Sequence, residues 1–212
     1  YQKLKTLKAS KTKDLFSKYI KEKIMLGNLC VEKPSYGATA SAVEHKPGMP
    51  RYIRITDISE EGDLLERGIK GIGAKKYNKY RLEDGDLLIA RTAAVGRAFV
   101  YKRQYGDCVY AGYLIKFRIN RDKALSEYIF YYLQSPIFQK WMRKTTRIGL
   151  QANINAKEYS EHLIPIPPIC IQKKIVESIK KLKRMEESLF CQINRLKNIQ
   201  RQIISQIFGV KP

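Results

Sequence analysis

Between Ile171 and Phe208 apolar residues recur at alternating steps of four and three. With Ile179, Glu186, Ile193, Gln200 and Ile207 at the a positions of a heptad, Ile175, Leu182, Leu189, Leu196 and Ile203 fall at d, so eight of ten seam positions are apolar. At 1.5 Å per residue such a helix is a rod of roughly 55 Å, longer than the helices of compact domains. One apolar stripe cannot bury itself, so the rod requires a partner helix. Glu186 and Gln200 interrupt the stripe and read as register markers.

The remaining length of a 212-residue chain can bury one substantial core. Lys and Arg number 41 against 20 Asp and Glu, a net charge of +21. Such an excess suits a polyanion, and nucleic acid foremost, because neutralised phosphates release counterions and drive association. A ribosome-like or membrane-surface protein would share the charge. No apolar run long enough to span a bilayer and no signal-peptide pattern occurs, so a cytoplasmic protein with no membrane partner is expected. The chain does not begin with Met, which suits a fragment. Cys30, Cys108, Cys170 and Cys191 are 78, 62 and 21 residues apart, with His45 and His162 as the only histidines. That spacing makes neither a zinc site nor a redox pair, and free thiols are expected.

Residues 1–23 carry eight Lys against Asp14 and Glu22. They read as a disordered basic arm or, from an internal echo, as a helix. Leu4, Lys5, Leu7, Leu15 and Phe16 repeat Leu196, Lys197, Ile199, Ile207 and Phe208 at a constant offset of 192. The echo makes this segment the end of an earlier rod, in a protein with two similar halves. From Ile24 to Ala42 turn residues dominate, and a loop carrying Tyr36 either lies on a phosphate backbone or is an ordinary surface loop. Tyr52 to Ile55 alternates as a strand does, and Leu87 to Ala90 is a short apolar strand buried on both faces. Arg91 and Thr92 follow it, where a sheet delivers side chains to its rim. Ala98–Tyr101 reads as a further strand. Cys108 to Ile119 reads as one longer strand, with Ile115, Phe117 and Ile119 on one face and Lys116 and Arg118 on the other.

Ser126 is the expected cap of a helix rich in Tyr128, Tyr131 and Tyr132, whose rings are assigned to the core; Pro136 starts a second helix towards Arg143. Between Tyr128 and Lys157 there is no acidic residue, whereas Lys140, Arg143, Lys144 and Arg147 are present. Gln151 and Asn153 add amides in a glycine-containing loop. Arg pairs with guanine and Asn or Gln with adenine, each worth about 1–3 kcal/mol of discrimination. Base reading is therefore assigned to Arg147, Gln151 and Asn153, with Arg91, Thr92 and Tyr36 as further candidates. Phosphate contacts go to Lys116, Arg118, Lys140, Arg143 and Lys144. Three prolines between Pro165 and Pro168 make a stiff extended strap into the rod. Net charges of +6, +8 and +6 over residues 1–23, 24–170 and 171–208 let a DNA-binding face continue from domain to rod.

No phosphate-binding GxxxxGK[ST] loop is present, since Ala74 follows Gly68–Gly73. Glu44-His45-Lys46 resembles the end of a nuclease metal site but lacks an acidic partner on a preceding strand. The pattern is that of a reader that needs enzymatic partners.

Taken together, several segments resemble the DNA specificity subunit of type I restriction-modification enzymes. They are Tyr52 to Ile58, Gly85 to Arg91 leading to Gly96, Ala111 to Leu114, Asn153 to Asn155, and Ile164 to Pro168 followed by Gln172 to Ile175. The match spans about residues 24–208. It departs after Arg91, where relatives usually carry Ser-Gly and one residue more before the glycine, and here Thr92-Ala93-Ala94-Val95 fills the gap.

The resemblance implies an α+β target recognition domain over residues 24–168, with a mixed sheet, preceded by the basic segment and followed by a long coiled-coil-forming helix over 169–212. In that family two such units lie in opposite orientation with their helices paired antiparallel, and each reads half of a split DNA site. The subunit is non-catalytic. S-adenosylmethionine, Mg and ATP would belong to modification and restriction subunits docked on it. The helix would pair with a second recognition half or with a second copy, and its length would set the gap between half-sites. The reading from another class is a structural coiled-coil protein that binds nucleic acid without regard to sequence; a self-contained nuclease is a third.

Overall fold

The longest apolar periodicity does form the longest element: in the computed structural model, which describes residues 2–19, 22–74, 77–146 and 152–208, one unbroken helix spans Ile169–Phe208. The elements in chain order are α1 (Gln2–Ser17), β1 (Lys23–Met25), β2 (Ser35–Tyr36), β3 (Ala42–Glu44), β4 (Arg51–Ile53), β5 (Lys70–Ile72), β6 (Leu87–Ala90), β7 (Ala98–Val100), β8 (Cys108–Tyr110), β9 (Leu114–Phe117), α2 (Ser126–Leu133), α3 (Pro136–Thr145), α4 (Ala156–Glu161), β10 (Leu163–Pro165) and α5 (Ile169–Phe208). Short strands and separate helices make the fold α+β.

Leu87 to Ala90 are buried on both faces, and this decides the architecture. β6 is an inner strand of an antiparallel sheet of order β2-β9-β6-β7. One face, carrying Leu87, Ile89, Ile115 and Phe117, packs against α2 to α5 and Phe16 of α1. The other, carrying Leu88, Ala90 and Leu114, packs against Ile53, Cys108 and Tyr110 of a second sheet. That second sheet has the order β3-β5-β4-β8 and is mixed, with β4 antiparallel to β5 and parallel to β8. Because β4 is central and covered on both sides, Arg51, Tyr52 and Ile53 are all buried, and the alternation expected there gives way to continuous burial.

The stretch Cys108–Ile119 is two strands rather than one. A turn at Ala111–Leu114, closed by the Leu114 amide donating to the Ala111 carbonyl at 2.9 Å, moves the chain from one sheet to the other. Ser126 is the first residue of α2 rather than its cap, and its hydroxyl donates to the Gly85 carbonyl at 2.6 Å. Ser135 caps α3, with Pro136 in its first turn. Tyr128 and Tyr132 are buried and pack edge-on or tilted against Phe16 at 5.4 Å, as core residues do. The proline strap is extended: β10 pairs antiparallel with β1, and the Gln172 side chain beyond it bonds Pro167, Lys123 and Leu125.

α1 is helical over the segment that the 192-residue echo maps onto the end of α5. It runs antiparallel to α5, with Phe16 in the core shared by Ile175 and Ile179 and Lys8 further out against Glu186 at 2.7 Å. The heptad seam therefore divides. Ile175 and Ile179, each 3% exposed, are buried in the domain's own core, where the helix they meet is α1 through Phe16. Leu182, Glu186 and Ile193 are half-buried, while Leu189, Leu196, Gln200 and Ile203 face solvent. The side chain of Ile207 lies outside the described residues.

Candidate nucleic-acid interface

At one end of the antiparallel sheet, four segments from distant parts of the sequence finish side by side. β2 ends at Tyr36, β6 runs out into Arg91, the turn before β9 presents Tyr113, and the chain entering α4 brings Asn153. Backbone bonds lock them together: the Arg91 amide donates to the Tyr113 carbonyl and the Ile154 amide to the Arg91 carbonyl, both at 3.0 Å. The Gly37 amide reaches the Leu114 carbonyl at 3.2 Å. Arg91 does lie at the sheet rim, as the strand preceding it implies.

The side chains converge too. The Arg91 guanidinium sits over the Tyr36 ring at 4.9 Å, and its Nε donates to the Asn153 Oδ1 at 3.3 Å. A cation over an aromatic face is attracted by the ring quadrupole. Tyr36 is also anchored at its far end, where its hydroxyl accepts from the Ala156 amide at 3.1 Å. Tyr36 is thus a support for Arg91, and the guanidinium nitrogens turned away from Asn153 are what this cluster offers to a ligand.

The loop after Arg91 is fixed from below. The Tyr159 hydroxyl donates to the Ala90 carbonyl at 2.9 Å and accepts from the Gly96 amide at 3.0 Å. Burial pushes the Tyr159 phenol well above its ordinary pKa, so it stays a donor. Gly96 has φ +79°, and a Cβ there would meet Met142 Sδ of α3 at 2.5 Å. The loop crest is tight: the Ala94 amide donates to the Thr92 carbonyl at 2.6 Å, and Ala93 between them takes φ +57°. Thr92 is half-buried at the foot of this crest.

On α3, Lys140, Arg143 and Lys144 are exposed and form no ion pair among the described residues. Lys140 and Lys144 lie on the face opposite the Phe138–Trp141–Met142 side that packs on the domain. Arg143 turns towards a cavity between α1, α3 and α5, while Lys140 and Lys144 face outward. Arg147 and Gln151 lie outside the described residues.

Lys116 and Arg118 do not face solvent as the strand alternation suggested. The Lys116 ammonium is buried and paired with Glu32 at 3.1 Å. Arg118 makes a two-pronged contact with Asp86 at 2.9 and 3.1 Å and pairs with Glu83 at 2.8 Å. These carboxylates hold the Arg118 guanidinium well above its usual range, and Lys116 holds the Glu32 carboxyl below its own. Both cations are committed to internal partners, which corrects their assignment to phosphates. Tyr113 belongs to the Ala111–Leu114 segment of the resemblance but not to the expected DNA contacts, because Cys108–Ile119 reads as one continuous strand; Gly112 is the available sign of a turn.

Glu44 and His45, which resembled a nuclease remnant, are exposed on β3 and the turn after it, and the His45 Nε2 contacts the Met49 carbonyl at 3.0 Å. Among the described residues no three His, Cys, Asp or Glu side chains are grouped to hold a metal ion. Cys170 and Cys191 are exposed on α5, whereas burial pushes the Cys30 and Cys108 thiols up to about 12. Among the described residues no helix is long and apolar enough to cross a membrane.

Residues 5–198 match the family model of the type I restriction modification DNA specificity domain. The chain belongs to this family. It is 28% identical over 184 residues to the type I restriction enzyme EcoKI specificity subunit of Escherichia coli K12, covering 81% of this chain and 39% of that one. It is 27% identical over 181 residues to the putative type I restriction enzyme MjaX specificity subunit of Methanocaldococcus jannaschii, covering 81% and 42%. The chain therefore spans about two fifths of the length of these relatives. In fold it is similar to the HsdS subunit from Thermoanaerobacter tengcongensis, with a TM-score of 0.65 at 17% identity over 90% of this chain and 49% of that one. The S subunit from M. genitalium gives a TM-score of 0.60 at 13% identity, over 100% and 55%.

Proposed function

We propose that this chain is a DNA specificity unit of a type I restriction-modification system and reads one half of a bipartite site in double-stranded DNA. The observation that carries the reading is the rim cluster: Tyr36, Arg91 and Asn153, singled out on separate grounds from three stretches of sequence, meet at one solvent-facing edge. A guanidinium fixed by a ring below and an amide beside it suits bidentate recognition of a guanine edge. Arg147 and Gln151 would complete the base-reading set. Lys140, Lys144 and Arg143 would hold phosphates and set the register.

In this reading residues 24–168 form the target recognition domain, 1–23 the end of a preceding helix, and 169–212 the spacer helix. The antiparallel contact of α1 with α5, marked by Lys8 and Glu186, is the first part of a longer helical pairing. The partner is the matching helix of a second recognition half or a second copy. The unit performs no chemistry. Modification subunits would bind S-adenosylmethionine and methylate adenine, the restriction subunit would use Mg and ATP, and the complex would work on DNA in the cytoplasm.

Mapping methylated positions with the assembled enzyme tests the assignment. Replacement of Arg91, Arg147 or Gln151 should change which half-site is methylated while the gap to the other half is kept. An unaltered half-site in all three variants overturns it.

A further inference from the structure

Tyr113 is 65% exposed, more than any other aromatic side chain among the described residues. Single exposed apolar residues are ordinary on protein surfaces and need no explanation by themselves. Three features set this one apart. Its ring and hydroxyl make no hydrogen bond, ring contact or cation contact among the described residues, so no polar or aromatic partner in the fold accounts for it. Its backbone, in contrast, is held on every side. The Arg91 amide donates to its carbonyl at 3.0 Å, the Leu114 amide closes the turn onto Ala111 at 2.9 Å, and the Gly112 amide donates to the Ala38 carbonyl at 2.7 Å. Gly112 itself is hemmed in, since a Cβ there would stand 3.2 Å from the Ala38 carbonyl oxygen and 3.3 Å from Thr39 Cγ2.

The third feature is position. β6 and β9 are hydrogen-bonded neighbours, so Arg91 and Tyr113 leave the same end of the sheet on adjacent strands. Adjacent strands stand about 4.8 Å apart, and successive base pairs about 3.4 Å. A groove laid along this rim would therefore bring neighbouring base pairs to the two side chains. A rigidly mounted aromatic ring offers large contact area with few torsions left to freeze. Beside a bidentate donor it supplies the apolar contact that distinguishes a thymine methyl in the major groove.

We infer that Tyr113 is a specificity-determining residue, reading a thymine methyl at the base pair next to the one addressed by Arg91. This rests on the rim being the DNA-reading edge proposed above. The ring does the reading, so the phenolic hydroxyl is dispensable.

The test uses the assembled methyltransferase with Tyr113→Ala, Tyr113→Phe and Arg91→Ala, and profiles methylation over a library randomised across the half-site. Tyr113→Ala should lower the preference for thymine at one position by at least about fivefold, next to the position relaxed by Arg91→Ala. Tyr113→Phe should keep the wild-type profile, and substrate with uracil in place of that thymine should show the wild-type enzyme a loss of similar size. Because the ring is mostly exposed and makes no hydrogen bond or ring contact among the described residues, the thermal midpoint of Tyr113→Ala should stay close to wild type. An unchanged profile for Tyr113→Ala beside an altered one for Arg91→Ala overturns this inference and leaves the reading edge standing. A uniform loss over all sequences also overturns it. If neither variant alters the profile, the reading edge itself falls.

Discussion

The Arg91 guanidinium lies 4.9 Å from the centre of the Tyr36 ring, and the hydroxyl of that same ring is held by the Ala156 amide. One side chain thus ties a candidate reading group to the start of α4. Tyr36→Leu removes both contacts, whereas Tyr36→Phe keeps the ring. Exposed cation–π pairs are worth about 0.5–1 kcal/mol. Tyr36→Leu should therefore weaken binding of the preferred half-site about two- to fivefold in a fluorescence titration, with the preferred base unchanged. Tyr36→Phe should lose less.

Lys140 and Lys144 differ from Lys116 in what surrounds them. Replacing either α3 lysine by Gln should weaken preferred and random duplexes alike and reduce the slope of log affinity against log salt by about one. Lys116→Gln should leave that slope alone and instead lower stability, because Glu32 loses the cation that now pairs with it at 3.1 Å.

Lys8 and Glu186 bridge α1 and α5 at 2.7 Å with only 14% of the glutamate side chain exposed. Reversing one charge, as Lys8→Glu or Glu186→Lys, should lower the thermal midpoint by a few degrees, consistent with a loss of about 1 kcal/mol in a domain of this size. The double reversal should regain most of it.

Gly96→Ala should cost about 2 kcal/mol in chemical denaturation, from the φ of +79° together with the clash on Met142. Adding Met142→Ala relieves the clash but not the backbone conformation, so part of the loss should remain. Since the loop carries Arg91 at its base, DNA affinity should fall with it.

His162 is enclosed by Trp141, Phe138 and Tyr132, whose hydroxyl lies 3.1 Å from its Nε2. Burial, helped by Lys23, lowers its pKa from 6.5 to about 4. The folded state thus resists a proton that the unfolded chain takes up. Stability from this group is complete above pH 6.5 and declines as the pH falls towards 4, by about 3 kcal/mol at most. Denaturation midpoints of His162→Gln should be flatter than wild type across that window.

Much of this was legible because it depended on local patterning. Four consecutive apolar residues between turns at Leu87–Ala90 mark a doubly covered strand, and a doubly covered strand puts its next residue, Arg91, at a rim. Tyr128 and Tyr132 of α2 fall on a helical period and are core, while Tyr131 is half-buried against that core. What stayed hidden depended on partners remote in sequence. Alternation along β9 and into the residue after it shows that Lys116 and Arg118 share a face, but not that Glu32, Glu83 and Asp86 wait there. A heptad is blind to where a domain covers it, so Ile175 and Ile179 looked like seam residues until the core claimed them. Tyr113 was lost for a different reason: one glycine inside an apolar stretch breaks a strand only if another sheet is ready to receive the chain.

The antiparallel course of α1 and α5 has a consequence for how such proteins change. The polypeptide enters the domain along one helix and leaves it along a neighbour running the opposite way, so both covalent joints sit beside each other. Everything between them can be exchanged as a cassette, provided the replacement returns the chain to the same place at the same angle. On the proposed function, such an exchange would alter target preference within the helical frame, without disturbing whatever grips the frame.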